Sequence, residues 1–254
     1  MKLKLKPLQQ DLSVYKKLKL EKPPVGVKFL LFKPEGIKQI DKNLAACEMI
    51  KEAQERGEPF YFTRENEDCF GKLPLGWEDM PPWAESGQIG DELEIFQEAR
   101  ANARLYLSWP KFPRDTVNYV VMSPLDKLTF EPDLLIILAR AKQAEIVMRA
   151  MTYSTGEVWE SKATPALECS WLYVYPIQSG KVHYNPTGMT VGANAKRSFP
   201  EGYVLISIPY QWIPIITKNM QEMKWVLPNT ENREVFNKRL LEIIGEMVQA
   251  SQNS

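Results

Sequence analysis

The longest uninterrupted apolar run in this chain is Leu134-Leu135-Ile136-Ile137-Leu138-Ala139. Six residues suit a β-strand and fall far short of the roughly 20 needed to cross a bilayer. Shorter strand-like runs occur at Val25 to Phe32, Phe60 to Thr63, Val117 to Met122 and Tyr203 to Ile208, with helix-like stretches between them. This alternation predicts an α+β, or mixed α/β, fold.

Leu8, Leu12, Tyr15 and Leu18 recur at helical spacing, so a helix is predicted over 8–20, stopped by Pro23-Pro24. A second helix is predicted from a cap at Asp41, with Leu44, Cys47, Ile50 and Ala53 near one face and Gly57 at its end. Further helices are expected over 92–107, 141–151, 211–223 and 232–248. Residues 74–90, with three prolines and two tryptophans, read as an irregular but partly packed loop. Thr164-Pro165 opens a short helix or turn through Cys169. Trp171 to Ile177 reads as a strand, turned at Gln178 to Lys181 onto a hairpin partner at Val182-His183-Tyr184.

The 254 residues fit one large domain or two small, intimate ones, and 44% hydrophobic content needs no disulfide or metal merely to fold. The 32 basic and 32 acidic residues cancel, so phosphate backbones are not generally attracted and no nucleic-acid partner is expected. Lys2 to Lys6 alternates lysine with leucine, as an exposed terminus or edge strand does; a membrane-surface role is the least favoured reading. No apolar stretch follows the initial charges as in a secretory signal, and the cysteines number three. Both features predict a reducing cytoplasmic setting with free or metal-bound thiols.

The chain also echoes itself. Cys47 precedes Cys69 by 22 residues, across a strand and a polar loop. Cys169 precedes Ala193 by 24 residues, across a strand and a turn. The expected organisation is therefore an N-terminal segment and helix (1–22), a first half (23–130), a second half (131–225) and a C-terminal helix (226–254). The two similar halves would share one core around a pseudo-twofold axis, with a site between them.

Two stretches carry a resemblance. Cys47-Glu48-Met49-Ile50, Ala53, Gly57, Phe60-Tyr61-Phe62, Cys69-Phe70-Gly71 and Leu75-Gly76 resemble the first half of the family called domain of unknown function 169. Thr164-Pro165, Cys169, Val191-Gly192, Arg197, Tyr203 and Ile208-Pro209 resemble its second half. The likeness runs from about Pro23 to Trp225. It implies a fold and candidate positions, but no reaction. It also implies a cysteine at the position of Ala193, so that this chain holds three of four thiols.

Thiolates suit soft metals and iron–sulfur clusters, and Cys47, Cys69 and Cys169 are the candidate ligands. On a four-iron cluster, three cysteines would leave one iron open. Against ligation stand the lack of any close cysteine pair and the place of Cys47 on an apolar stripe, where cysteine packs as a small hydrophobe. His183, the single histidine, is the candidate proton-transfer group. The stretch from Gly188 to Ala195 could present backbone N–H groups to an anion; Gly192, Asn194, Lys196 and Arg197 are the candidate ligand-binding residues, with Arg197 orienting an anionic group. Glu65, Glu67 and Asp68 could bind a hard cation or tune proton transfer beside Cys69, but the favoured reading is a solvated loop. No G-x-S-x-G elbow and no Walker or dinucleotide glycine motif occurs. The leading expectation is a small-molecule enzyme or binding protein, with a cysteine-ligated soft metal or iron–sulfur centre as its candidate cofactor and a homo-oligomer left open. The alternative is a cofactor-free binding or interaction module with structural cysteines.

Overall fold

The computed structural model describes residues 2–227 and 232–252. In chain order the strands are β1 (Lys2–Leu3), β2 (Val25–Leu30), β3 (Lys33–Pro34), β4 (Lys38–Gln39), β5 (Phe60–Phe62), β6 (Tyr119–Pro124), β7 (Leu134–Arg140), β8 (His183–Pro186) and β9 (Tyr203–Pro209). Seven of them form one mixed sheet in the order β4-β5-β6-β2-β7-β9-β8, while β1 and β3 pair separately. Neighbours in the large sheet run antiparallel except β4 and β5.

The long apolar run is β7, near the centre of the sheet. Leu134, Ile136 and Leu138 enter one hydrophobic core; Leu135, Ile137 and Ala139 enter another. A strand buried on both faces needs no polar alternation, which is why the run is continuous. The first core is roofed by α1 (Ala46–Arg56) and by a helical segment over 168–179, whose middle, Ser170–Val174, is π-helical and whose end is a short α-helix, Tyr175–Ser179. The second core is covered by the 3-10 turn Ser13–Leu18 and by the helices Ala141–Tyr153 and Ile213–Glu222. The result is three layers, with helices on both faces of the sheet.

Chain order is mirrored about the middle of this sheet. β2 and β7 are antiparallel neighbours, with Val25 opposite Ile136 and Val27 opposite Leu134. From β2 the chain passes through α1 to β5 and returns to β6, which pairs with β2. From β7 it passes through the 168–179 segment to β8 and returns to β9, which pairs with β7.

The structure corrects several local expectations. The predicted helix over 8–20 shrinks to Ser13–Leu18. Asp11 accepts the backbone N–H of Ser13 (2.9 Å), a local turn that competes with helix. The second helix starts at Ala46, and Asp41 pairs with Arg56 instead of capping it. The loop over 74–90 contains two short helices, Pro82–Glu85 and Gln88–Glu92. The helix expected over 92–107 covers only Ala99–Ser108. Trp171 to Ile177 is helical, not a strand, so the hairpin partner of β8 is β9. A short helix, Val191–Ala195, occupies the small-residue stretch.

Candidate functional site

The residue capping the start of helix α1 is Ala45, which has no side-chain oxygen to offer the exposed N–H groups. Two glutamates supply what alanine lacks. Glu48 accepts the Ala45 amide (2.9 Å), and Glu67 accepts the Ala46 amide through Oε1 (3.0 Å). The second carboxylate oxygen of Glu67 accepts the Cys69 amide (2.9 Å). One buried side chain thus fixes the helix start that carries Cys47 and the loop that carries Cys69. The Leu44 amide donates to the Asn66 carbonyl (2.9 Å), stitching the same two segments by their backbones.

Cys169 arrives from the other half of the sheet, at the start of the 168–179 segment. The Tyr173 hydroxyl, four residues on, donates to the Ala46 carbonyl (2.7 Å) and ties that segment to α1. A π-helical turn at this point re-aims side chains relative to a regular helix, and such turns are common beside functional sites. A third segment closes the ring. Val191 donates its amide to the Pro165 carbonyl (3.0 Å), and Lys196 pairs with Glu48 and Asp68 (3.3 Å each).

Cys47, Cys69 and Cys169 all line one cavity of about 210 Å³. Much of its lining is apolar, with Met80, Ile89, Leu93, Ile95 and Tyr106. The polar side chains in its lining include Glu168, Thr190 and Lys196. Thr190 is 98% buried and its Oγ1 has no hydrogen-bond partner among the described residues. An apolar chamber with a few convergent polar groups is the ordinary form of a small-molecule site.

The three sulfurs differ. The Cys47 thiol is held below its ordinary pKa range by the Cys169 thiol, which hydrogen-bonds to it; this outweighs burial, and the Ser198 hydroxyl contact (3.3 Å) works in the same direction. Cys169 is pushed well above the ordinary range by its role as that donor and by burial. Burial raises Cys69. Cys47 also occupies the first turn of α1, where the helix dipole favours a thiolate. Within the pair, Cys47 is therefore the sulfur that ionises first and Cys169 the one that keeps its proton. Two carboxyls flank it. Burial raises Glu67 and Glu168 to about 7 each, and Asn185 donates to Glu168 (2.5 Å).

The remaining candidates divide. Gly192 and Lys196 line the cysteine cavity, as does Ala193, the position where the family resemblance implies a fourth thiol. A side chain at Gly192 would meet no atom within 4 Å, so close packing does not demand a glycine there. Asn194 and Arg197 face a separate, larger cavity of about 600 Å³ on the other side of this segment. The Asn194 amide closes its own loop by donating to the Gly188 carbonyl (2.7 Å). His183 lines neither cavity. It is fully buried on β8, edge-on to Tyr175, and burial lowers it to about 4.

Glu168 is the residue that sequence reasoning missed, and Glu67 the one whose favoured reading as solvated the structure corrects. Glu67 is 99% buried, not solvated. Its nearest sequence signal is Gly71, which leaves room for the carboxylate. Glu168 carries no signal beyond its adjacency to Cys169. As for metals, no group of three or more His, Cys, Asp or Glu among the described residues has the arrangement to hold an ion.

A three-layer mixed α/β protein with a thiol-walled apolar chamber between the halves of its sheet is the class that fold and site define. The chain belongs to the family domain of unknown function 169, described as an uncharacterised ArCR, whose model matches residues 13–219. It is similar to the uncharacterized protein MJ0308 of Methanocaldococcus jannaschii, with 24% identity over 216 residues that cover 82% of this chain and 90% of the relative. No solved structure matches significantly. Among the described residues, no helix is long and apolar enough to cross a membrane.

Proposed function

We propose that this chain is a small-molecule enzyme or binding protein whose ligand enters the cysteine-walled cavity and meets the Cys47 sulfur. The observation that carries this reading is the arrival of Cys47, Cys69 and Cys169, far apart in sequence, at one apolar chamber. Cys47 is the nucleophilic or soft-ligand atom, Cys169 its proton-bearing partner, and Glu168 the cavity-wall carboxyl that exchanges protons near neutrality. Thr190 and Lys196 would orient a polar end of the ligand. The mirrored chain order around β2 and β7 supports an internal duplication, with the site at its seam.

A second reading uses the same sulfurs to hold a soft metal or an iron–sulfur cluster. The convergence of three thiols supports it. A single ion would require the sulfurs to close in further than they stand.

The test is alkylation of anaerobically purified full-length protein with iodoacetamide, mapped by mass spectrometry, beside elemental analysis and visible absorption. The first reading expects Cys47 to react fastest at pH 7, with colourless protein. If Cys47 reacts no faster than the cysteines of the unfolded chain, that reading fails. Stoichiometric iron or another soft metal would replace it with the second.

A further inference from the structure

The helix Arg233–Gln252 buries none of its residues. Phe236, Leu240, Ile243, Met247 and Ala250 follow one another at intervals of four, three, four and three residues. That is the a/d repeat of a coiled-coil seam. Leu240 is 42% exposed and Met247 66%, and Leu241, Ile244 and Val248 widen the apolar face. A helix draws most of its stability from burying such a face, so this one is incomplete alone. The helix also lies beyond residue 219, where the family match ends.

Charge decides what covers it. With Leu240 and Met247 at position a, Arg239 and Glu246 both fall at position g, flanking the seam. Two antiparallel copies set g against g, so each Arg239 faces the partner's Glu246 and two ion pairs form. Within one helix Arg239 pairs with Glu242 (3.3 Å) and reaches Glu246 (3.8 Å). Two parallel copies would set Arg239 against the partner's Ile244 and add no ion pair across the seam, whereas the antiparallel pair adds two. We infer that this helix pairs antiparallel with the same helix of a second copy of the chain. The seam is short, so association in the micromolar range is expected.

Sedimentation velocity of the full chain over a concentration series tests this. The wild type should move from monomer to dimer as concentration rises. Leu240→Asp should remain monomeric with the melting temperature of the body unchanged. Arg239→Glu and Glu246→Arg should each weaken the dimer at least tenfold, because each sets like charges across the seam. An equimolar mixture of these two variants should restore it, since the heterodimer recovers both ion pairs. A wild type that stays monomeric up to roughly 100 µM, where micromolar association would be saturated, overturns the proposal. So does a dimer that survives Leu240→Asp, a mixture that fails to restore association, or a monomer whose helix binds anionic vesicles instead.

Discussion

Gly71 sits against Glu67 so closely that a Cβ on it would lie 2.5 Å from the Glu67 Oε1 atom. That oxygen accepts the Ala46 amide, and its twin accepts the Cys69 amide. One methyl group at residue 71 would therefore disturb both cysteine-bearing segments. Gly71→Ala is expected to cost roughly 1–3 kcal/mol, the usual penalty for overpacking a tight interior. Chemical denaturation measures it, and a stability equal to the wild type would show that Glu67 can move freely.

Glu168 should make stability depend on pH. Its folded pKa of about 7 lies above the ordinary 4.5 because burial disfavours the anion. Between those values the folded state holds more protons than the unfolded one, so stability falls as pH rises through the window, by on the order of 3 kcal/mol. Above about 7 the loss is complete. Glu168→Gln keeps an acceptor for Asn185 and removes the charge, so its unfolding free energy should fall less steeply across that window. Parallel slopes for variant and wild type would contradict the burial cost.

His183 acts with the opposite sign. Burial lowers its folded pKa to about 4 from 6.5, so the unfolded chain binds the proton first and stability rises with pH between those values. It is the one histidine in the chain, so its imidazole resonances need no assignment. They should stay at neutral-form shifts from pH 8 down to about 5. Titration near 6.5 would place His183 in solvent and reopen its candidacy for proton transfer.

Cys169 should set the reactivity of Cys47. Cys169→Ala removes the thiol that holds the Cys47 pKa below its ordinary range. The midpoint of the Cys47 alkylation rate against pH should rise, and the rate at pH 7 should fall. Ser198→Ala removes the second contact and should act in the same direction with a smaller shift. An unchanged midpoint in Cys169→Ala would mean that the helix start alone activates the sulfur.

How far the sequence could be read depended on what each segment touches. β7 and β2 were legible because burial on both faces demands continuous apolar residues. α1 was legible because its buried positions, Cys47, Ile50 and Ala53, keep helical spacing up to Gly57, whose left-handed φ of 70° ends the helix. Trp171 to Ile177 was misread for a related reason. Ser170 through Pro176 are buried on every side, which erases helical periodicity, and their aromatic and β-branched content mimics a strand. The α+β class was legible, and so was the placement of all three cysteines at one chamber. The positions of Arg197 and His183 were not. Arg197 lies at a φ of 50°, a turn that carries it to the opposite side of its segment, and no local pattern signals it. His183 belongs to a strand whose inward face only the sheet order reveals.

The Tyr173 hydroxyl bond to Ala46 spans 127 residues of chain and joins elements that lie over opposite sides of the sheet's midline. Neither side alone contains Cys47 together with Cys169. A chain whose second half has not yet docked would carry three ordinary thiols and no common chamber. Cysteine reactivity would then serve as a clock for the completion of folding.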